Sequence, residues 1–180
     1  MIVHNTEIQG VLILEPKTFG DHRGYFLESF NQQNFQDLTG VETNFVQDNH
    51  SYSQYGVIRG LHYQSPNPQG KLVRVVTGKV LDVAVDIRKD SPTFGKSVCV
   101  ELSAENHRQL WVPPGLAHGF QVLSEQGANF LYKTTDYWYP KSEHCIRYDD
   151  PDLNISWDFT ITPIVSDKDK NGKFFANIEL

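Results

Sequence analysis

The residues of this chain best equipped for chemistry gather in Gly56-Val-Ile-Arg-Gly-Leu-His-Tyr-Gln64, which sets Arg59 and His62 on either side of Gly60. Imidazole changes charge near neutral pH, so a histidine free of metal can serve as a base. A lone histidine is more often structural or exposed; His62 stands out by its company, because Arg59, Lys71, Arg74 and Tyr132 can all lie near it in a closed β structure. Gly60 leaves room for close backbone approach. In Phe45-Val-Gln-Asp-Asn-His50, Gln47 and Asn49 share a strand face, and paired amides suit hydroxyl or carbonyl recognition. The same spacing fits two solvent-facing amides equally well. Arg23 and Arg59 carry planar guanidinium forks suited to phosphate oxygens. Arg88, Lys89 and Arg108 read instead as surface salt-bridge residues.

These side chains need a scaffold of short strands. Val11–Leu14, Phe45–Asp48, Leu72–Thr77, Val80–Ile87, Val98–Leu102, Leu110–Val112, Phe120–Leu123 and Phe130–Thr134 are β-type runs, separated by Gly, Pro and Asn turn signals. Many short strands at regular spacing predict an antiparallel sandwich or barrel. Along Lys79–Ile87, Leu81, Val83, Val85 and Ile87 face one way and Asp82, Ala84 and Asp86 the other; Tyr132 shares its face with Phe130 and Thr134. Helix is scarce: Ser29–Leu38 predicts one short helix with Phe30 and Phe35 as its buried contacts, and Ser103 precedes a capped helical start. Residues after about Asp149 become rich in Pro, Asp, Asn and Lys, which predicts a C-terminal tail (about 150–180) packing on the barrel within a single domain spanning 1–180.

Trp111-Val-Pro-Pro-Gly-Leu-Ala-His-Gly-Phe120 resembles the second half-motif of cupins, in which a Pro-x-Gly-x-x-His turn directs an imidazole, here His118, into a jelly-roll barrel. Metal-binding cupins carry a His-x-His pair and a downstream Glu. Here that stretch reads His62-Tyr63-Gln64, and no Glu follows before Gly78. Neutral amides replace imidazole poorly on a first-row metal, so His62 and His118 are not expected to share one.

Over nearly its whole length, from about Leu12 to Asp169, the chain resembles the dTDP-4-dehydrorhamnose 3,5-epimerases. The motifs that carry this are Phe19-Gly-Asp-His-Arg-Gly-Tyr-Phe-Leu-Glu28, Phe45-Val-Gln-Asp-Asn-His-Ser51, the Gly56–Gln64 run, Gly70-Lys-Leu-Val-Arg-Val-Val76, the Trp111–Phe120 run, Phe130-Leu-Tyr-Lys-Thr-Thr-Asp-Tyr137 and Ser166-Asp-Lys-Asp169. The resemblance implies an all-β, cupin-type jelly-roll barrel with a few short helices, working as a homodimer without cofactor or metal. The implied substrate is dTDP-4-dehydro-6-deoxy-D-glucose, converted to dTDP-4-dehydro-L-rhamnose in carbohydrate biosynthesis of the kind that supplies lipopolysaccharide. By motif, His62 is the proton acceptor, Tyr132 the proton donor, Asp169 the carboxylate paired with His62 and Lys71 the lysine at the keto oxygen. Arg23, Glu28, Gln47, Asn49, Arg59, His118, Glu143 and Lys168 match nucleotide or sugar contacts; Phe19, Phe26 and Tyr137 match aromatics near the nucleotide, with Tyr137 suited to stack on thymine.

The chemistry is consistent with those roles. A C–H beside a ketone loses its proton when a base stands close and a donor meets the oxygen; inversion then needs a second acid on the opposite face. Other readings remain open at this level: epimerisation at one carbon, keto isomerisation, a metal-dependent cupin oxygenase, or a barrel that only binds a nucleotide sugar. A formal net charge of −6 argues against a general nucleic-acid surface. No run is long enough to span a membrane, the N terminus does not read as a signal peptide, and two cysteines, Cys99 and Cys145, give no disulfide framework. A reducing cytoplasm is the expected compartment.

Overall fold

A computed structural model describes residues 1–180. Fourteen strands form it: β1 (Ile2–Asn5), β2 (Leu12–Glu15), β3 (Thr18–Asp21), β4 (Gly24–Leu27), β5 (Gln47–Ser53), β6 (Val57–Gln64), β7 (Lys71–Thr77), β8 (Lys79–Asp86), β9 (Ser97–Ser103), β10 (Gln109–Val112), β11 (Leu116–Val122), β12 (Ala128–Thr134), β13 (Glu143–Cys145) and β14 (Ile164–Val165). Helix is limited to α1 (Gln32–Thr39), the single turn α2 (Asp167–Lys170) and a 3₁₀ turn at Phe175–Asn177. Two sheets face each other, one ordered β1-β2-β10-β7-β12-β5 and the other β13-β6-β11-β8-β9, with β14 parallel to β6. The fold is a cupin-type jelly roll. β3 and β4 form a separate hairpin.

Burial explains the arrangement. Val73, Val75, Leu110, Phe120, Val122 and Phe130 fill the space between the sheets. β8 is buried on both faces: Val80 and Ala84 enter this interior, whereas Val83, Val85 and Ile87 point outward beneath Leu153, Ile155 and Trp157. Its carboxylate-bearing face is therefore the inner one. The outer face of the other sheet, with Leu12, Leu14, Leu72 and Trp111, is covered by Phe35 of α1, flanked by Phe30 and Phe45. No buried side-chain nitrogen or oxygen lacks a hydrogen-bond partner.

Three boundaries differ from expectation. The helix starts later, at Gln32, because the Asn31 side chain accepts the Asn34 N–H, and it stops at Gly40 in the left-handed region (φ 69°). The strand expected at Phe45–Asp48 begins at Gln47 and continues to Ser53, since Phe45 is engaged against Phe35 and Trp111. The stretch after Ser103 is a turn, not a helix: Ser103 and Asn106 exchange N–H to side-chain hydrogen bonds of 3.1 Å each way.

Candidate active site

His62 stands near the end of β6, opposite Cys145 of β13 on one side and His118 of β11 on the other. β6 and β11 approach closely just before it. A Cβ on Gly60 (φ 111°) would lie 2.6 Å from the His118 carbonyl oxygen, and one on Gly119 would lie 2.5 Å from that of Arg59. Only glycine fits either place, and the β11 register shifts there, between His118 and Phe120.

The Nε2–H of His62 donates to Asp169 Oδ1 at 2.7 Å, and the Gly60 N–H donates to Asp169 Oδ2 at 3.2 Å. Asp169 belongs to α2, capped by Ser166, whose hydroxyl accepts the Asp169 N–H at 3.1 Å. The preceding residues are stitched to β6 as Ile164 beside Val57 and Val165 beside Ile58. Burial pushes the Asp169 carboxyl toward protonation, but the hydrogen bond and charge of His62, with the Gly60 N–H, outweigh it and hold the group below the usual carboxylate range.

His62 and Asp169 line a cavity of about 430 Å³ that Lys71 and Tyr132 also line. Lys71 opens β7 and is buried, its ammonium 3.5 Å from the His62 carbonyl oxygen. Burial lowers its pKa to about 8, against the opposing pull of Asp82 and Glu143. Tyr132 projects from β12 beside Phe130, whose ring stacks on Phe120 at 4.3 Å between centroids. Burial raises the Tyr132 phenol above its ordinary range, so it keeps its proton.

The cavity wall is polar. His118 Nε2 lies 2.9 and 3.1 Å from the two oxygens of Asp82, which is fully buried. Strand alternation alone puts Asp82 on one face of β8 and gives it no role; the signal that sets it apart is a carboxylate flanked at i±2 by Val80 and Ala84, both core residues. Gln47 donates to Asn49 at 2.9 Å and accepts the Trp138 N–H at 3.1 Å. Gln64 accepts the Tyr139 N–H at 2.8 Å and donates to the carbonyls of Asn67 and Tyr137. The amide at the second cupin ligand position thus holds the 137–139 loop. Glu143 accepts from Lys168 at 2.6 Å, and Arg59 Nε donates to Ser53 at 2.8 Å; Glu143, Lys168 and Arg59 lie on the cavity wall.

Some expected site residues lie elsewhere. Phe19, Arg23 and Phe26 stand exposed on the β3–β4 hairpin, away from this cavity, and Arg23 pairs with Asp21 at 2.5 Å. Glu28 accepts hydrogen bonds from the Asn31 and Asn34 side chains at the start of α1. Tyr137 does not line the cavity; its neighbour Trp138 does, because the Gln47 amide turns the loop at that residue. Arg74 points to the outer face, since Val73 and Val75 on either side take the inner one. Arg88 and Arg108 form ion pairs with Asp86 and Glu15 at 2.8 Å each, and Lys89 donates to the Leu180 carbonyl.

Residues 5–177 match the family model of dTDP-4-dehydrorhamnose 3,5-epimerase. The chain is 56% identical over 172 residues to the dTDP-4-dehydrorhamnose 3,5-epimerase of Pseudomonas aeruginosa, covering 96% of this chain and 94% of that one. The Salmonella typhimurium enzyme of the same name is 59% identical over 170 residues, covering 94% and 92%. The crystal structure of dTDP-6-deoxy-D-glucose-3,5-epimerase from Legionella pneumophila, in complex with dTDP-4-keto-L-rhamnose, superposes with a TM-score of 0.95 at 52% identity, covering 99% of this chain and 94% of that one. A 3'-monoepimerase from Streptomyces bikiniensis, solved with dTDP-quinovose, superposes with a TM-score of 0.90 at 35% identity, covering 96% and 87%.

Proposed function

Because the chain belongs to the dTDP-4-dehydrorhamnose 3,5-epimerase family, we propose that His62, Lys71 and Tyr132 carry out its reaction within one cavity. The protein is an isomerase that inverts C3 and C5 of dTDP-4-dehydro-6-deoxy-D-glucose to give dTDP-4-dehydro-L-rhamnose. The observation that carries the residue assignment is the 2.7 Å His62–Asp169 hydrogen bond at the wall of the cavity that Lys71 and Tyr132 also line.

With Nε2–H committed to Asp169, Nδ1 is the nitrogen left to accept a proton from the carbon beside the C4 ketone. The C–H electron pair moves into the ring bond and the carbonyl pair onto oxygen, giving an enolate. Asp169 stabilises the imidazolium as the positive charge forms. Lys71 donates to the enolate oxygen, a contribution of about 3–4 kcal/mol for a well-placed donor. The Tyr132 phenol then delivers a proton to carbon from the other face; His62 gives up its proton to solvent and the Tyr132 phenolate takes one from it, after which the same sequence at the second α-carbon completes the reaction. Gln47, Asn49 and His118 supply polar contacts for the sugar, Arg59 and Lys168 the cations for the pyrophosphate, and Trp138 the ring face for the base.

Phe19, Arg23, Phe26 and Glu28 enter the reading through a homodimer. Their exposure outside the cavity of their own chain suits a hairpin that reaches the cavity of a second copy. Residues 150–180 belong to the barrel's own domain, a reading supported by Leu153, Ile155 and Trp157 packing on β8. No helix is long and apolar enough to cross a membrane, and Cys99 and Cys145 are unpaired, which suits a reducing cytoplasm.

Incubation with dTDP-4-dehydro-6-deoxy-D-glucose in D₂O tests the assignment, with deuterium at C3 and C5 read by NMR. The expected result is label at both carbons, falling by about 10²–10⁴ in His62→Ala. Label confined to one carbon assigns a single epimerisation. Undiminished label in His62→Ala removes His62 as the base.

A further inference from the structure

The oxygen that receives the His62 hydrogen bond has a second neighbour that the reaction does not use. Cys145 stands directly opposite His62 in the β13–β6 register, and its sulfur lies 3.7 Å from Asp169 Oδ1. The imidazole nitrogen, the thiol sulfur and the carboxylate oxygen all lie within 4.8 Å of one another. In a four-coordinate zinc centre, with metal–ligand bonds of about 2.0–2.3 Å, such atoms stand about 3–4 Å apart. The 3.7 Å sulfur–oxygen separation already falls in that range, and the 2.7 Å nitrogen–oxygen contact must widen to admit the ion.

Each ligand comes from a different, well-anchored element. His62 sits on β6, Cys145 on β13, whose three residues pair with β6, and Asp169 on α2 behind its Ser166 cap. His62 and Asp169 line the cavity, so an ion between them opens onto it and keeps a position for water or a substrate oxygen. A nitrogen, a sulfur and one carboxylate oxygen suit zinc or cobalt, whereas magnesium and calcium favour all-oxygen shells. The place differs from the cupin metal position, because the Gln64 amide is bound to the 137–139 loop and His118 to Asp82.

We propose that His62, Cys145 and Asp169 form an inhibitory site for a zinc-type divalent cation, and that occupancy and turnover exclude one another. As the ion binds, the Cys145 S–H proton leaves to water and a sulfur–metal bond forms. Asp169 exchanges its hydrogen bond for a metal–oxygen bond, and His62 gives the Nε2 lone pair to the metal. The one ring proton then resides on Nδ1, the nitrogen assigned to substrate. The exclusion of turnover rests on the reading of His62 as the base; the metal site itself does not.

The test uses the full chain, freed of metal with a chelator. Cobalt(II) added to it should give a thiolate-to-cobalt charge-transfer band that zinc(II) abolishes and magnesium does not. Cys145→Ser should lose the band and Cys99→Ala should keep it. Zinc should inhibit epimerisation, and Cys145→Ser should raise the zinc concentration for half inhibition, relative to its own metal-free rate, by at least about tenfold, the smallest loss expected even from a group that merely orients a ligand. No sulfur band in the wild type, or a band that persists in Cys145→Ser, overturns the site. A Cys145-dependent band with undiminished turnover leaves the site standing and overturns the exclusion, and with it His62 as the base.

Discussion

His62 and His118 line the same cavity and each pairs with an aspartate, and the two pairs differ in almost everything else. His118 and Asp82 come from adjacent strands of one sheet, and their side chains are 8% and 0% exposed. His62 and Asp169 are 107 residues apart in sequence, and the His62 side chain is 28% exposed. The first pair is sealed, with one nitrogen against both carboxylate oxygens, which suits holding a substrate group in place. The second couples a fixed partner on one nitrogen to an accessible ring. A proton-transfer group needs that asymmetry, because it must be oriented from behind and free in front.

The sharpest division should appear with Lys71→Met. Loss of the oxyanion donor should lower kcat by about 10²–10³-fold. Burial holds the ammonium near a pKa of about 8, below its ordinary 10.5, so its charge disfavours folding at neutral pH. The penalty is full below about 8 and released as pH rises toward 10.5. Urea unfolding at pH 7 should therefore find Lys71→Met more stable, by up to about 3 kcal/mol from 1.36 kcal/mol per pKa unit, with the advantage shrinking above pH 8. Next, Asp169→Asn should slow exchange at both carbons by at least about 10²-fold in steady-state assays, the lower end of what a positioned base contributes, while binding of dTDP by calorimetry stays near wild type. His118→Asn should act mainly on KM, by about tenfold, in the range of one lost hydrogen bond to a charged or polar group. An equal loss of kcat in His118→Asn and Asp169→Asn would erase the distinction between the pairs. The smallest effect refines it. Asp82 raises the Lys71 pKa against burial, so Asp82→Asn should move the alkaline limb of the pH–rate profile, expected near pH 8, to lower pH.

Much of the site was legible because its residues sit in compact local motifs. His62 and His118 stand out within runs of fewer than a dozen residues, Lys71 and Tyr132 stand out as possible neighbours whose roles the family resemblance implies, and the cavity brings all four together. Asp82 was not recognised, because alternation separates two faces without saying which is inside, and β8 is buried on both. β6 was missing from the expected strands, since Arg59, His62 and Gln64 make a central strand look like a loop. Arg74 was misplaced for a related reason: being close in a barrel strand differs from facing its interior. Trp138 was passed over for Tyr137, as the turn that aims it depends on Gln47, 91 residues away. Asp169 entered only by family resemblance, because no local pattern reports a contact with a strand more than a hundred residues earlier.

That late contact bears on the order in which the protein matures. A chain leaving the ribosome exposes β6, β7, β11 and β12 before α2, so the cavity can close around His62 while its carboxylate partner is still untranslated. Only when β14 aligns beside β6 does Asp169 arrive. Full epimerase activity should therefore lag behind barrel formation: in a refolding experiment, tyrosine and tryptophan signals of the barrel should recover before the turnover rate reaches its final value.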